Sequence, residues 1–430
     1  MALKLRFSAI RYSNERLIAG NKSNIHQKRR VNRETYMRDG TKGHLRSMAQ
    51  SDSSICGIGT EEKMSAEYDL TERIVRQQQA PLATQTAFLG EIAHRLQAKP
   101  FKPHQRFTGG HAQTFAAYYW PRHTLLKRAH SMDEPRLFEV EPGVRLLAHC
   151  RWQKDKLSHP TMILIHGLEG SNLSVYMLGT SEKAYRQGFN VVRLNLRNCG
   201  NTEHLTPTLY HAGLSSDVRI ILRELIEQDN LSNIFITGFS MGGNICLKLA
   251  GEEADLAPRE LAGVCAISPT IDLSSCVDAI ERRSNRLYKY SFLRSMKNRI
   301  RRKQKLFPEL YDTRNLSRIR RLRDFDERYT SVGGGFNNAE EYYESASAFR
   351  VIRHVKTPTL IIHAQDDPFV PFYPCRDPSI TENPFIVFLA PEHGGHVGFV
   401  GADANGEDRF WMENRVVEFC KLTYEHSISR

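Results

Sequence analysis

The sequence predicts an α/β fold: a mostly parallel, doubly wound sheet with a helical cap inserted into it. Three observations carry that prediction. From about residue 160 onward, compact apolar, β-prone runs alternate with helical stretches, the pattern of parallel strands joined by crossover helices. One segment, 233–250, reads as a buried strand, a sharp glycine-rich turn and the start of a helix. Residues 270–350, between two strand-like runs, are long, basic and mostly helical, as an inserted cap would be.

Taken in order, residues 1–60 are polar and basic without sustained periodicity, which predicts a disordered N-terminal extension. Residues 61–99 read as a helical linker interrupted near Pro81, with packing of 62–97 on the domain as the alternative. The folded domain is expected over 100–425, with the cap at about 270–350. Within it, 136–141 and 145–152 alternate apolar and polar residues around Glu141-Pro142-Gly143, which predicts a hairpin. Strands follow at Thr161–Ile165, Phe189–Leu196, Ile234–Ile236, Leu261–Ser268, Thr359–His363 and Phe385–Leu389. Helices are expected at about 175–187, 214–228, after residue 240, and at about 408–424.

Composition narrows the class. No run of about 18 apolar residues is present, so a membrane-spanning helix is not expected, nor is there the apolar core of a secretory signal. The eight cysteines are scattered, with no C-x-x-C pair, which predicts free thiols in a reducing, cytoplasmic setting and no zinc site. The net charge of +12 is uneven: residues 1–50 carry +9 and 281–329 carry +11, leaving −8 on the rest.

The chemistry centres on Gly238-Phe239-Ser240-Met241-Gly242. A serine on a strained strand-to-helix turn stands proud of the sheet, and glycines on either side let strand and helix pass without Cβ clashes. The hydroxyl needs a base, and in this arrangement an acid and then a histidine should follow in the chain. Asp367 lies just past the strand Leu360–His363, three residues after Ala364 and before Pro368 and an apolar residue, so it is preferred over Asp366. After Phe385–Leu389, His393 and His396 compete. His396 sits among small residues that let a loop return it to the sheet edge, so it is assigned as base, with Asp367 orienting it. The oxyanion would be received by the backbone N–H of Met241 and by that of Leu168, in His166-Gly167-Leu168-Glu169-Gly170. Glu169 is a candidate for a supporting hydrogen bond. No metal or organic cofactor is called for.

The segments Gly109–Phe115, His166–Ser171, Gly238–Asn244, Asp366–Phe369 and Glu392–Phe399, in that order, resemble the YheT-like branch of the α/β-hydrolase superfamily. That branch includes abhydrolase-domain lipases and esterases of animals and ethanol acyltransferases of yeast, and the resemblance spans roughly 100–425. It implies the α/β-hydrolase fold, a triad on Ser240, Asp367 and His396, and cleavage of carboxylic esters of short- or medium-chain acids or lipids. Acyl transfer to an alcohol through the same triad is the alternative. The chain departs from the branch at Asn195-Leu196-Arg197-Asn198-Cys199-Gly200, which lacks the usual Arg-Gly order. The membrane anchor of the animal members is not expected here.

The basic run Arg299–Lys305 reads first as the solvated face of a cap helix, and second as a surface for peripheral contact with anionic membranes. Nucleic-acid binding is not expected, because the charge comes with no recognised module or aromatic platform.

Overall fold

The computed structural model describes residues 86–122, 124–125, 132–402 and 406–429. The extension predicted over 1–60 lies outside the described residues, as does the linker up to residue 85.

The strands are β1 (Glu134–Glu141), β2 (Val144–Arg151), β3 (Thr161–Ile165), β4 (Asn190–Leu194), β5 (Ile234–Phe239), β6 (Leu261–Ile267), β7 (Thr359–Ile362) and β8 (Ile386–Leu389). They form one sheet in the order β1-β2-β4-β3-β5-β6-β7-β8. β1 and β2 make the expected hairpin, and β2 runs antiparallel to β4. From β4 to β8 every pairing is parallel. The two kinds of strand read differently, as their surroundings require. β1 buries only alternate residues towards its end, whereas β3, β4, β5 and β7 are buried throughout, because helices cover both faces of a parallel sheet.

The main helices are α1 (86–97), α2 (Gly110–Tyr119), α3 (Val175–Arg186), α4 (Ser215–Glu227), α5 (Met241–Glu253), α6 (Leu273–Glu281), α7 (Arg286–Leu306), α8 (Ala339–Ala346) and α9 (Trp411–Ile428). The period of two along β3 sorts the layers. Ile163 and Ile165 pack with Val218 and Ile221 of α4 and Ile245 and Leu249 of α5. Met162 and Leu164 face the other way, onto Met177 of α3 and Val416 and Phe419 of α9.

Helix α1 corrects the expected domain boundary. Leu89, Ile92 and Leu96 recur at helical spacing and are buried in the same layer as α3 and α9. The apolar stripe makes 86–97 part of the domain rather than of a linker.

Between β6 and β7 lies the cap: α6, α7, a helical run Leu322–Gly334 with a π turn at Asp326–Thr330, and α8. Asp272 caps α6 by accepting from Ser275 N (3.2 Å), and Asn338 caps α8 by accepting from Glu341 N (2.8 Å). Only part of the basic run on α7 is the solvated face that the sequence suggested: Arg301, Arg302 and Lys305 are exposed, whereas Arg299 and Lys303 turn inward. Leu293, Met296, Arg299, Ile300 and Lys303 form one inward stripe. Lys303 is fully buried and donates to the carbonyls of Glu203 and Thr206, while Arg302 pairs with Glu203. Cations of this helix serve as internal ties between cap and sheet. The departing segment at 195–200 is likewise structural: Arg197 is buried against Asp217, with Glu141 and Thr208 completing its donors.

The packing of α1 is directly testable. Leu96→Ala should cost about 2–5 kcal/mol, the usual range for emptying a buried leucine site. Urea unfolding that leaves the midpoint unchanged would return 86–97 to the status of a tether.

Candidate active site

β5 ends in Phe239 and α5 begins at Met241, leaving Ser240 alone at the turn with φ 55° and ψ −118°. A side chain pays 1–3 kcal/mol for such a conformation unless its surroundings impose it. Here they do. Ser240 N donates to Ile267 O (2.7 Å), its carbonyl accepts from Asn244 N (3.2 Å), and the flanking glycines permit close approach. A Cβ at Gly238 would run into the carbonyl of Gly242, and one at Gly242 into that of Ile165.

The loops after β7 and β8 sort the two aspartates and two histidines into separate pairs. Asp367 Oδ1 accepts from Phe369 N (3.1 Å) and Val370 N (2.9 Å), and its Oδ2 accepts from His396 Nδ1 (2.7 Å). Burial would raise this carboxyl, but the His396 imidazole, with help from His363 and Val370 N, holds it below the usual carboxylate range. An ionised Asp367 fixes the tautomer: Nδ1 carries the proton and Nε2 is left as the acceptor. Asp366 does different work, accepting from His393 Nδ1 (3.2 Å) and Gly395 N (2.9 Å), which shapes the loop.

Ser240 and His396 are brought together through the end of β6. Ile267 takes the Ser240 amide, and the next residue, Ser268, accepts from Val397 N at 3.1 Å. Among the described residues no hydrogen bond joins the Ser240 hydroxyl to the imidazole, a contact that commonly tightens only around substrate. Thr114 Oγ1, on α2, accepts from His396 N (2.9 Å), and the Phe369 ring packs on the imidazole with centroids 4.1 Å apart.

The loop after β3 touches the same point. A Cβ at Gly167 would lie 2.9 Å from that of Ser240. Gly167 N donates to Tyr176 OH (3.1 Å), Glu169 N to Tyr210 OH (2.9 Å) and Gly170 N to Gly167 O (3.0 Å). Among the described residues Leu168 N and Met241 N have no acceptor, and both residues line one small cavity. His166 anchors the loop. Leu196 N donates to its Nε2 (3.1 Å) and its Nδ1 donates to Gly167 O (2.8 Å), and burial pushes this neutral ring down to about 4.

That cavity measures about 30 Å³ and is roofed by Met296, Arg299, Phe325 and Asp326 of the cap. Asp326 accepts from Thr330 Oγ1 (2.7 Å) and Tyr343 OH (2.8 Å). Burial nevertheless pushes its carboxyl up to about 6. Among the described residues no group of three or more His, Cys, Asp or Glu side chains could hold a metal ion.

A family profile described as alpha/beta hydrolase fold matches residues 160–400. The chain belongs to this family. It is 31% identical over 268 residues to YheT of Escherichia coli, a protein named as an esterase, with 62% of this chain and 78% of YheT covered. It is 30% identical over 275 residues to a monoacylglycerol lipase of Saccharomyces cerevisiae, covering 62% of this chain but only 60% of the lipase. It is also 27% identical to the yeast medium-chain fatty acid ethyl ester synthase/esterase 2, covering 68% of each chain. The α/β-hydrolase domain here is of the YheT-like branch.

The structure pairs Asp367 with His396 and sets Leu168 and Met241 on one pocket, and sequence reasoning missed the groups that hold these residues and Ser240. Thr114 stands in the quoted Gly109–Phe115 segment, where its type alone gave no role. Tyr176, Tyr210, Ser268 and Arg299 lie in ordinary contexts and come into play only through tertiary packing.

Asp326 gives the site a measurable pH signature. A carboxyl raised from 3.8 to about 6 favours the fold when protonated, so its contribution is complete below about 4 and is lost as pH rises through 6. Asp326→Asn cannot ionise. The stability of the variant relative to the parent should therefore grow by up to about 3 kcal/mol from pH 4 to pH 8, at about 1.4 kcal/mol per pKa unit. A difference in urea midpoints that stays flat with pH would contradict the assignment.

Proposed function

We propose that this carboxylic ester hydrolase is a serine enzyme that works through an acyl-enzyme on Ser240. The Ser240 Oγ attacks the ester carbonyl while His396 Nε2 takes its proton. The Leu168 and Met241 amides receive the oxyanion, and the imidazolium returns the proton to the departing alcohol. Water then enters by the reverse sequence and releases the acid. Asp367 keeps its charge throughout and stabilises the imidazolium. The observation that supports this reading most is the 2.7 Å bond between Asp367 and His396, made beside a serine held at φ 55°.

Esters of short- or medium-chain acids or lipids are the proposed substrates, a reading supported by the yeast relatives named as a monoacylglycerol lipase and an ethyl ester synthase/esterase. The latter name also favours a second reading, in which an alcohol rather than water takes the acyl group from the same serine. A p-nitrophenyl ester series of increasing chain length tests the first, and ethyl ester formation in ethanol-containing buffer tests the second. Ser240→Ala should abolish fluorophosphonate labelling and ester turnover while folding normally. Asp367→Asn should lower kcat by about 10⁴-fold through the wrong imidazole tautomer. Full labelling of Ser240→Ala would rule the serine out.

Peripheral contact with an anionic membrane is proposed on a different face from the one first read in the sequence. Phe115, Tyr118 and Tyr119 form an exposed stripe on α2, and Tyr288 of α7 stacks on Phe115. On the adjoining outer arc of α7, Leu287 and Tyr290 stand exposed between Arg286 and Arg294. Among the described residues neither arginine has an ion-pair partner. Rings that sit at a headgroup boundary beside guanidinium groups suit an anionic lipid surface. No described helix is long and apolar enough to cross a membrane. Ser240→Ala protein should co-sediment with phosphatidylserine vesicles and not with phosphatidylcholine vesicles. R286E/R294E should weaken that binding at least tenfold, since each basic residue contributes about 1 kcal/mol. Equal sedimentation of both proteins would dismiss the face.

A further inference from the structure

We infer that Glu169 and Arg299 are a positioning pair that couples the seating of the cap to the competence of the oxyanion hole. The inference rests on the reading of Leu168 N as an oxyanion donor. Glu169 follows that donor directly, and it holds φ 59°, the left-handed region that a non-glycine residue adopts only under constraint. The constraint is visible on both its backbone and its side chain. Glu169 N donates to Tyr210 OH (2.9 Å), and the same hydroxyl donates back to Glu169 Oε1 (3.0 Å), closing a ring. Arg299 forms an ion pair with that carboxylate and Ser295 OH donates to its other oxygen. Arg299 also lies over the Tyr210 ring at 4.4 Å. Both ends of the pair are nearly buried, at 11% exposure for Glu169 and 7% for Arg299.

Ser295 and Arg299 are four residues apart on α7, so a single turn of the cap helix presents both to the loop. The loop itself belongs to the sheet layer, at the end of β3. Its conformation, and with it the aim of the Leu168 N–H, is therefore completed by a residue pair from the cap. The arginine has a second effect. An unneutralised carboxylate one residue from the oxyanion would oppose the negative charge that develops in the transition state, and its repulsion would be strong in a water-poor site. The guanidinium cancels it. Glutamate alone would harm the reaction, and glutamate with arginine organises it.

This sets an unusual order among variants. With p-nitrophenyl butyrate, Arg299→Met should lower kcat by about 10²-fold, comparable with losing an oxyanion donor, and leave KM within about threefold. Glu169→Gln/Arg299→Met should recover at least tenfold over Arg299→Met, because the stranded charge is gone. Arg299→Lys should fall between parent and Arg299→Met. Affinity for a trifluoromethyl ketone, which forms the oxyanion adduct, should track kcat/KM across the set. Ser295→Ala removes one hydrogen bond and should lower kcat about two- to fivefold, which keeps the test available if Arg299→Met fails to fold. A double variant no faster than Arg299→Met, or a loss that appears in KM alone, overturns the coupling while leaving the serine mechanism intact. Turnover that survives Ser240→Ala overturns both.

Discussion

The site depends on how closely backbones approach one another where β3, β5 and α5 meet. At Gly238 and Gly242 no Cβ can be accommodated, and at Gly167 the loop after β3 rests against the serine itself. Those contacts hold Ser240 in a conformation it would otherwise leave. They also bring the amide of Met241, unpaired because it opens a helix, to within reach of the unpaired amide of Leu168. Leu168 and Met241 thus line one small pocket with their backbone N–H groups unpaired among the described residues, Met241 next in the chain to the serine turn.

Around that point, ionisable groups are separated into pairs with distinct tasks. Asp367 and His396 bond to each other, Asp366 and His393 fasten the loop that carries His396, and Glu169 and Arg299 fasten the loop that carries Leu168. Two adjacent aspartates and two nearby histidines could have exchanged partners. Backbone donors prevent it, since Phe369 N and Val370 N hold Asp367 while Gly395 N holds Asp366. Main-chain geometry therefore decides which carboxylate meets which imidazole.

Much of this was legible in the sequence, and the reasons differ from residue to residue. Strands such as Thr161–Ile165 and Thr359–Ile362 are buried on both faces, so their apolar runs announce themselves. Ser240 follows β5 directly and Asp367 and His396 lie in the loops after β7 and β8, and parallel strands deliver their C-terminal ends to one edge. The inward turn of Arg299 and Lys303 was hidden, because a basic helix reads the same whether its charges meet solvent or carbonyls. The stripe of Leu89, Ile92 and Leu96 left packing and linker readings both open, because three apolar residues reveal a buried face only once a partner surface is known. Tyr210 was invisible for the same reason, as its hydroxyl finds Glu169 across 41 positions of chain.

The cavity over the two free amides, at about 30 Å³, has room for one water molecule. Any movement of α7 away from this pocket acts on the ties that hold the helix down. Lys303 on the carbonyls of Glu203 and Thr206 and Arg302 on Glu203 must then yield or travel with their partners. Of the cations that looked like a surface feature, Arg299 and Lys303 are thus what fasten the cap helix from within.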